Sequence, residues 1–308
     1  MQWKFWHREP CAFDSGWVEV GSGHKIYYLQ YGNPQGIPVL SFHGGPGGAS
    51  RPKYTRLFDL RKYRFIQFDQ RACGQSQYED AFRDNDTAHL LADAGKLLQY
   101  LKISAKIIVH GASWGSTLAL LFAENYPDKV SAIVVSSVFL AREYDYKWAD
   151  SDSKRFYPDM FAIMREQINS DDIRGRYSEM LFSDDTENQR KALQYFGSYE
   201  YMLGSLNPRF TEPEAVEFDR ELLCARIAFH YAGHRYFIRE NQILDEIEKI
   251  RNIPALIVHN RMDFCCPPQQ AWELHKAMPQ SELIIIPDYG HSTPRILRTM
   301  RKKLPEFL

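Results

Sequence analysis

A Gly-x-Ser-x-Gly segment carries the side chain best suited to nucleophilic chemistry. It reads Gly111-Ala112-Ser113-Trp114-Gly115, follows an apolar run at residues 106–109 and precedes a helical pattern at residues 116–126. Between a strand and a helix, the two glycines allow a turn so sharp that the serine hydroxyl stands clear of the sheet, where it can attack an acyl carbon. The segment therefore predicts that Ser113 is the nucleophile of a serine hydrolase.

Such a serine needs a histidine to take its proton and an acid to orient that histidine. In this kind of turn the three residues follow in the chain order serine, acid, histidine. Asp263 and His291 occur in that order, each on a predicted loop after an apolar run. Because functional residues gather at the carboxyl ends of parallel strands, we predict that Asp263 and His291 complete a triad with Ser113. Asp288 is an alternative acid, but its closeness to His291 in sequence makes a bond to the far ring nitrogen awkward.

Two backbone amides should stabilise the negative oxygen that forms when the serine attacks. Trp114, directly after the nucleophile, supplies the first amide. The second is expected from the glycine-rich segment at residues 43–48, where we favour the Gly44 amide over that of Gly45. His43 opens this segment, and we expect its ring to make a structural hydrogen bond rather than to act as the base.

The elements that must position these residues follow from hydrophobic periodicity. Strand-like runs at residues 16–20 and 25–31 predict a hairpin. Beyond it, apolar runs of the length of buried parallel strands alternate with helical patterns. The predicted strands are residues 39–42, 64–68, 106–109, 130–135, 255–258 and 283–286, and the predicted helices are residues 87–101, 116–126 and 268–278. The alternation predicts an α/β fold with a mostly parallel sheet flanked by helices.

The stretch between the strands at residues 130–135 and 255–258 is far longer than a crossover, which needs about a dozen residues. It is rich in aromatic and charged residues and shows helical patterns at residues 159–169, 186–204 and 212–232. We interpret it as an inserted helical cap over the active site. The predicted organisation is a first part of the core at residues 1–139, a helical cap at residues 140–250 and a second part of the core at residues 251–308.

Composition excludes several other classes of protein. The 38 Lys and Arg residues balance 39 Asp and Glu residues, so the chain lacks the basic excess of a nucleic-acid-binding protein. Its most apolar stretch, residues 132–141, is far shorter than the roughly 20 residues of a membrane-spanning helix, and the first ten residues lack the apolar core of a secretory signal. Five cysteines without Cys-x-x-Cys spacing are typical of free thiols. We therefore expect a cytoplasmic protein with no membrane or nucleic-acid partner.

His230 and His234 are the pair that most resembles metal ligands. They are four residues apart on a predicted helix, a spacing that places two rings on one face. No carboxylate or cysteine pattern accompanies them. We therefore expect neither a metal nor a cofactor.

Three blocks of the sequence resemble a known family. They are His43-Gly44-Gly45-Pro46-Gly47-Gly48, Asp69-Gln70-Arg71-Ala72-Cys73-Gly74-Gln75-Ser76 and Gly111-Ala112-Ser113-Trp114-Gly115-Ser116. The sequence looks like that of the prolyl aminopeptidases, or proline iminopeptidases, which are serine peptidases of the α/β-hydrolase fold that remove N-terminal proline. The resemblance implies that Ser113 is the nucleophile, Asp263 the acid and His291 the base. Ala72 stands where the family usually has glycine.

The resemblance also extends to the predicted cap. In the family, two glutamates bind the free amine of the substrate. The segment around Glu200 is similar to the first of the two glutamate segments, whereas Ala228 stands where the second glutamate belongs. Phe139, Cys265 and Cys266 match positions that line the family's pyrrolidine pocket, although ordinary core packing explains these residue types equally well.

The preferred hypothesis is therefore a serine aminopeptidase that releases N-terminal proline, or another small residue, through an acyl-enzyme. Its partner would be a peptide or small-molecule amide or ester substrate. The missing glutamate at Ala228 favours an esterase or amidase as the alternative enzyme. A further alternative is an inert homologue that uses the cap to bind a ligand, since a fold does not imply a function.

Overall fold

The computed structural model describes residues 10–205 and 217–308. Within these ranges, nine strands form one sheet. They are β1 (Asp14–Gly21), β2 (His24–Gly32), β3 (Ile37–Phe42), β4 (Tyr63–Phe68), β5 (Gln77–Tyr78), β6 (Ile107–Ser113), β7 (Val130–Val138), β8 (Ala255–Met262) and β9 (Ser281–Tyr289). The strand order is β1-β2-β4-β3-β6-β7-β8-β9, with β5 paired to β2. The pairs β1·β2, β2·β4 and β2·β5 are antiparallel and all the others are parallel.

Helices cover the sheet and fill the long connection between β7 and β8. They are α1 (Thr87–Tyr100), α2 (Trp114–Asn125), α3 (Glu143–Asp150), α4 (Pro158–Ile168), α5 (Ile173–Phe182), α6 (Thr186–Ser205), α7 (Phe218–Gly233), α8 (Gln242–Asp245), α9 (Gln269–Ala277) and α10 (Pro294–Phe307). Of the helices in the described ranges, none combines the length and the apolarity that crossing a membrane requires.

The predicted α/β architecture is confirmed, with changes at the ends of its elements. The strand predicted at residues 106–109 continues through the Gly-x-Ser-x-Gly segment to Ser113, and the one predicted at 255–258 continues to Met262. In both cases ladder pairing with a neighbouring strand extends past the apolar run from which the strand was predicted. Helices α3, α5, α8 and α10 were not predicted.

The central strands are buried on both faces, as their continuous apolar runs require. In β6, Ile107 and Val109 point into a core shared with α1 and α2, whereas Ile108 points into the core on the other face, beside α10. Leu40 and Val39 of β3 divide between the two cores in the same way. Two covered faces hold the sheet rigid, so its carboxyl edge is a fixed platform for side chains.

The connection between β7 and β8, here called the helical insert (residues 139–254), has a core of its own. Met160, Met164, Tyr177 and Met202 are buried together in it. From Ile227 onward its buried apolar residues, apart from Phe229, belong to the core shared with β6 and α2. The first residues of the helix predicted at residues 212–232 lie outside the described ranges, and the described helix is α7. The insert is therefore packed partly on itself and partly on the sheet.

The turn after β4 is held by the Asp69 carboxylate. Its oxygens accept hydrogen bonds from the backbone N–H groups of Ser50, at 2.7 Å, and Gln75, at 2.8 Å. Beside it, Arg71 makes a fully buried, two-pronged ion pair with Asp93, with N–O distances of 2.6 and 2.9 Å. Ala72, between these anchors, has a φ of 54°. This left-handed conformation explains why glycine suits the position.

Replacing Ala72 with glycine should stabilise the protein. Because an L-alanine in the left-handed region is strained, Ala72→Gly should raise the free energy of unfolding by about 1 kcal/mol, measured by urea denaturation. Gly74→Ala is the matched control. Gly74 has a φ of 53°, and a Cβ there would lie 2.1 Å from an Asp69 carboxylate oxygen, so this change should destabilise the protein. A loss of stability in Ala72→Gly would contradict the strain argument.

Candidate active site

Ser113 lies at the junction of β6 and α2 in a strained backbone conformation, with φ 58° and ψ −131°. The turn is so tight that a Cβ on Gly111 would lie 1.9 Å from the Gly115 carbonyl oxygen. A Cβ on Gly115 would lie 2.2 Å from the Phe42 carbonyl oxygen. The two glycines of the motif are therefore required by backbone contacts, and strain of this kind is typical of a functional side chain held for reaction.

Asp263 and His291 lie on the loops after β8 and β9 and are in contact. The Nδ1 atom of His291 is 2.8 and 3.0 Å from the two carboxylate oxygens of Asp263. The same carboxylate accepts hydrogen bonds from the backbone N–H groups of Cys265 and Cys266, at 3.0 and 2.9 Å. The alternative acid, Asp288, lies 3.8 Å from the Arg295 guanidinium.

The turn that holds Asp263 also reaches the serine. The Cys266 thiol lies near the Ser113 hydroxyl, while the Cys266 amide donates to Asp263. Strands β6, β7 and β8 are neighbours in the sheet, so their carboxyl ends meet at this edge. The structure thus brings Ser113, Asp263 and His291 to one place.

The protonation of His291 follows from its neighbours. Burial by itself lowers the pKa of the ring, but the charge and hydrogen bond of Asp263 outweigh burial, and with a further contribution from Glu200 the pKa is raised above its usual value. The bond to Asp263 assigns the proton of the neutral ring to Nδ1, which leaves Nε2 as the free base. This is the tautomer that accepts a proton from a serine hydroxyl.

Hydrogen bonds to the backbone fix the loop that carries His291. The side-chain amide of Asn260 donates to the Gly290 carbonyl oxygen at 2.8 Å, and the Ser137 hydroxyl donates to the His291 carbonyl oxygen at 2.5 Å. From the helical insert, the Gly204 carbonyl oxygen accepts the His291 N–H at 2.8 Å. The supporting roles of Asn260 and Ser137 were not predicted from the sequence. Their positions near the ends of β8 and β7, where functional side chains gather, are the sequence feature that could have indicated these roles.

A second buried histidine supports the acid. His259 Nδ1 accepts the Val138 N–H at 3.1 Å, so the ring proton is on Nε2, which donates to the Cys266 carbonyl oxygen at 2.8 Å. Burial lowers the pKa of His259, so the ring remains neutral. It therefore braces the turn that presents two amides to Asp263 without adding a charge. The supporting role of His259 was not predicted from the sequence either.

The glycine-rich loop after β3 lies against the serine turn. A Cβ on Gly44 would be 3.1 Å from the Ala112 carbonyl oxygen and 3.5 Å from the Ser113 Cβ. His43 Nε2 accepts the Gln70 N–H at 3.0 Å, and its Nδ1 donates to the Gly44 carbonyl oxygen at 2.8 Å. The His43 ring is thus occupied by two backbone hydrogen bonds that shape the loop.

Trp114 connects the serine turn to the helical insert. Its ring is fully buried, and its Nε1–H donates to the Gln70 side chain at 3.1 Å. The ring also contacts Tyr231 and Tyr236 of the insert, with centroid distances of 5.4 and 5.5 Å. Because the side chain is held on two sides, the backbone amide of Trp114 has a fixed direction.

A cavity of about 1320 Å³ lies between the glycine-rich loop and the helical insert. Glu200 of α6 and Ala228 of α7 both line it, beside Phe229. Ala228, which stands in place of the family's second glutamate, thus faces the same cavity as Glu200. The rings of Phe196 and Phe229, with centroids 4.7 Å apart, join the two helices at this wall.

The three predicted pocket residues do not line this cavity. Phe139 is buried, its ring lies 5.1 Å from that of Tyr236, and its N–H donates to the Ser116 hydroxyl. Cys266 is buried beneath the serine. Cys265 lies next to the catalytic pair, since its Sγ and the nearest ligand atoms of Asp263 and His291 are all within 4.8 Å of one another.

Two clusters of side chains, Asp263–Cys265–His291 and His230–His234, resemble metal ligands but are hydrogen-bonded to other groups of the protein. Asp263 already accepts bonds from His291 and two amides, and burial raises the pKa of the Cys265 thiol well above its usual value. His230 Nε2 bonds to the Asn85 carbonyl oxygen and His234 Nδ1 to that of His230. Both groupings are held by hydrogen bonds within the protein.

Comparisons with known proteins identify the family of the chain. A family described by the alpha/beta hydrolase fold matches residues 37–294. The chain is 39% identical over 287 residues to a proline iminopeptidase of Arabidopsis thaliana, covering 91% of this chain and 75% of that protein. It is 37% identical over 289 residues to a proline iminopeptidase of Neisseria gonorrhoeae, covering 91% and 90%.

Solved structures support the fold alone. An alpha/beta fold family hydrolase from Bacillus anthracis gives a TM-score of 0.63 at 15% identity, covering 97% of this chain and 100% of that one. A thermophilic esterase from Thermogutta terrifontis gives 0.58 at 20% identity, covering 96% and 99%. With its fold, its serine turn and these relatives together, the chain belongs to the proline iminopeptidase family of α/β hydrolases.

Proposed function

We propose that this protein is a serine aminopeptidase that releases N-terminal proline from peptides through an acyl-enzyme. The observation that carries the proposal is the contact of His291 Nδ1 with both Asp263 carboxylate oxygens at the same sheet edge as the strained Ser113. His291 Nε2 takes the proton of the Ser113 hydroxyl as its oxygen bonds to the prolyl carbonyl carbon. The proton then passes to the leaving nitrogen as the peptide bond breaks, and water releases proline by the reverse sequence.

The tetrahedral intermediate needs donors for its oxyanion, and we assign the backbone amides of Trp114 and Gly44 to this role. The buried ring of Trp114 fixes the first amide. The His43 bond to the Gly44 carbonyl and the close approach of Gly44 to Ser113 fix the second segment. Donors held before reaction stabilise developing charge more strongly than mobile ones.

Selection for a free amino terminus would come from Glu200. It lines the cavity beside the glycine-rich loop, and its negative charge is close enough to favour protonation of His291. A carboxylate in this place attracts the ammonium of an N-terminal residue. We assign the side chains of Phe139, Cys265 and Cys266 to the wall around the proline ring; they lie outside the lining of the cavity that contains Glu200.

An esterase or amidase is the second candidate, and one observation favours it. Ala228 gives the cavity wall an apolar side chain at the position of the family's second glutamate. A second carboxylate there would strengthen amine binding. A site with one carboxylate discriminates less between charged and neutral substrates than a site with two. The substrate class, peptides or small amides and esters, is common to both candidates.

Two further expectations remain proposals. We propose that residues 140–250 form a cap over the active site. A separate apolar core supports this proposal, and residues from Ile227 onward also pack on the sheet. We also propose a cytoplasmic location, supported by five free cysteines.

Labelling by a fluorophosphonate tests the nucleophile. The wild-type protein should react once, and Ser113→Ala should abolish labelling because it removes the activated oxygen. Intact-mass spectrometry measures the adduct, and circular dichroism checks the fold. Ser131→Ala, at the start of β7, is the matched control and should label normally. Labelling of Ser113→Ala would remove this residue as nucleophile, and a wild-type protein that resists the probe and hydrolyses nothing would support the inert alternative.

The pH profile tests the base and its acid. Because neutral His291 is the active form and Asp263 raises the pKa of His291, kcat/KM should fall on the acid side with a midpoint above the usual value of about 6.5. Asp263→Asn should lower kcat by about 10⁴-fold and move the midpoint to lower pH. Asp288→Asn is the control and should change neither. If Asp288→Asn lowered kcat and moved the midpoint while Asp263→Asn changed neither, Asp288 would be the acid.

Substitutions at Glu200 and Ala228 separate the two candidate functions. Glu200→Gln should lower kcat/KM for prolyl arylamide by about 10- to 100-fold, the value of one charged hydrogen bond, and should affect neutral esters less. Ala228→Glu should raise prolyl-arylamide hydrolysis, and Ala228→Gln, which has the same shape without the charge, should not. Faster cleavage of N-acetylated substrates or esters, together with no effect of Glu200→Gln, would favour the esterase or amidase.

A further inference from the structure

Two cations lie on the core side of the cavity that contains Glu200. Arg51 and Lys53 follow the glycine-rich loop, and both line the cavity. Arg51 is exposed, whereas Lys53 is partly buried at the start of the short 3-10 segment Pro52–Leu57. Burial and the neighbouring charge of Arg51 lower the pKa of Lys53, which indicates that the two positive groups are close.

Among the residues that the structure describes, neither cation is paired with an acidic side chain. Lys53 Nζ donates to the Ser292 hydroxyl at 3.2 Å and lies 5.0 Å above the Tyr54 ring. Across residues 10–205 and 217–308, no ion pair involves Arg51 or Lys53, whereas Arg220 in the same cavity wall is paired with Glu217 at 2.6 Å. The partly buried charge of Lys53 is unfavourable without a counter-ion, and an anionic ligand that also meets the exposed Arg51 would relieve it.

The position of Lys53 relative to the catalytic residues identifies which part of a substrate it would meet. Ser292, its hydrogen-bond partner, directly follows His291 in the chain. In the proposed mechanism, His291 gives its proton to the leaving nitrogen, so Lys53 lies on the leaving-group side of the site. In a dipeptide, the carbon bonded to the leaving nitrogen also bears the terminal carboxylate. In a longer peptide, a neutral amide occupies that place.

The charges of the cavity therefore match a substrate with both ends charged. Glu200, on the helical insert, suits the ammonium, and Arg51 and Lys53, on the core, suit a carboxylate. The volume of about 1320 Å³ is much larger than a dipeptide and would not exclude longer peptides by size. Selection between peptide lengths would therefore depend on charge.

We propose that Arg51 and Lys53 bind the C-terminal carboxylate of the leaving amino acid, so that dipeptides with N-terminal proline are the preferred substrates of this site. The inference rests on the proposed aminopeptidase function and specifies its substrate class. Arg51 and Lys53 act as specificity residues, since they contact the leaving group rather than the reacting bond.

The test compares three substrates that differ at the leaving side: prolyl-alanine, prolyl-alanine amide and prolyl-alanyl-alanine. The wild-type protein should cleave the dipeptide with a kcat/KM about tenfold or more above the other two, because only the dipeptide presents a carboxylate beside the leaving nitrogen. In Arg51→Gln/Lys53→Gln, this ratio should fall by at least threefold, chiefly through KM. Because it compares substrates on one preparation, the ratio is insensitive to partial unfolding.

Arg56→Gln is the matched control, since Arg56 lies in the last turn of the same 3-10 segment but does not line the cavity. It should keep the wild-type ratio. A wild-type ratio below threefold, a tripeptide cleaved as well as the dipeptide, or a ratio that the double variant reduces by less than threefold would overturn the inference. Prolyl-arylamide hydrolysis by the wild-type protein tests the proposed function separately, so the two can fail independently.

Discussion

At the serine turn, three backbone segments approach each other so closely that no Cβ fits on Gly111 or Gly115. The end of β3, the end of β6 and the first turn of α2 meet there, and the rigid two-faced packing of the sheet holds them together. Ser113 adopts its strained conformation because these contacts leave no alternative. The same crowding places the glycine-rich loop beside the serine, so the proposed nucleophile and the proposed oxyanion donors depend on one arrangement.

Ring contacts and backbone hydrogen bonds join the helical insert to this arrangement. Tyr231 and Tyr236 contact the Trp114 ring, and the Gly204 carbonyl accepts the backbone N–H of His291. A movement of the insert would therefore shift His291, the proposed base, as well as Trp114, a proposed oxyanion donor. The packing of its later residues into the core of the sheet reinforces this connection. In the proposed function, substrate binding under the insert would be physically coupled to the geometry of Ser113 and His291.

The charges of the site are separated although the whole chain is nearly neutral, with a formal charge of −1. Buried histidines that shape the site remain uncharged because burial lowers the pKa of His43 and His259. Asp263 reverses this effect at His291, where it raises the pKa. Glu200 and the Arg51–Lys53 pair then place opposite charges on the insert and the core sides of one cavity. In the proposed function, selectivity comes from these opposite charges on the two sides of the cavity.

The sequence by itself determined the α/β architecture and the positions of Ser113, Asp263 and His291, because periodicity, turn glycines and strand ends are local features of the chain. It did not determine which side chains support them. Ser137 and His291 are 154 residues apart when they bond, and Lys53 and Ser292 are 239 apart. Such contacts depend on how the insert and the strand-end loops pack, and no local pattern encodes that packing. The tertiary structure alone therefore decided the clamp around His291, the brace provided by His259 and the distribution of charge in the cavity.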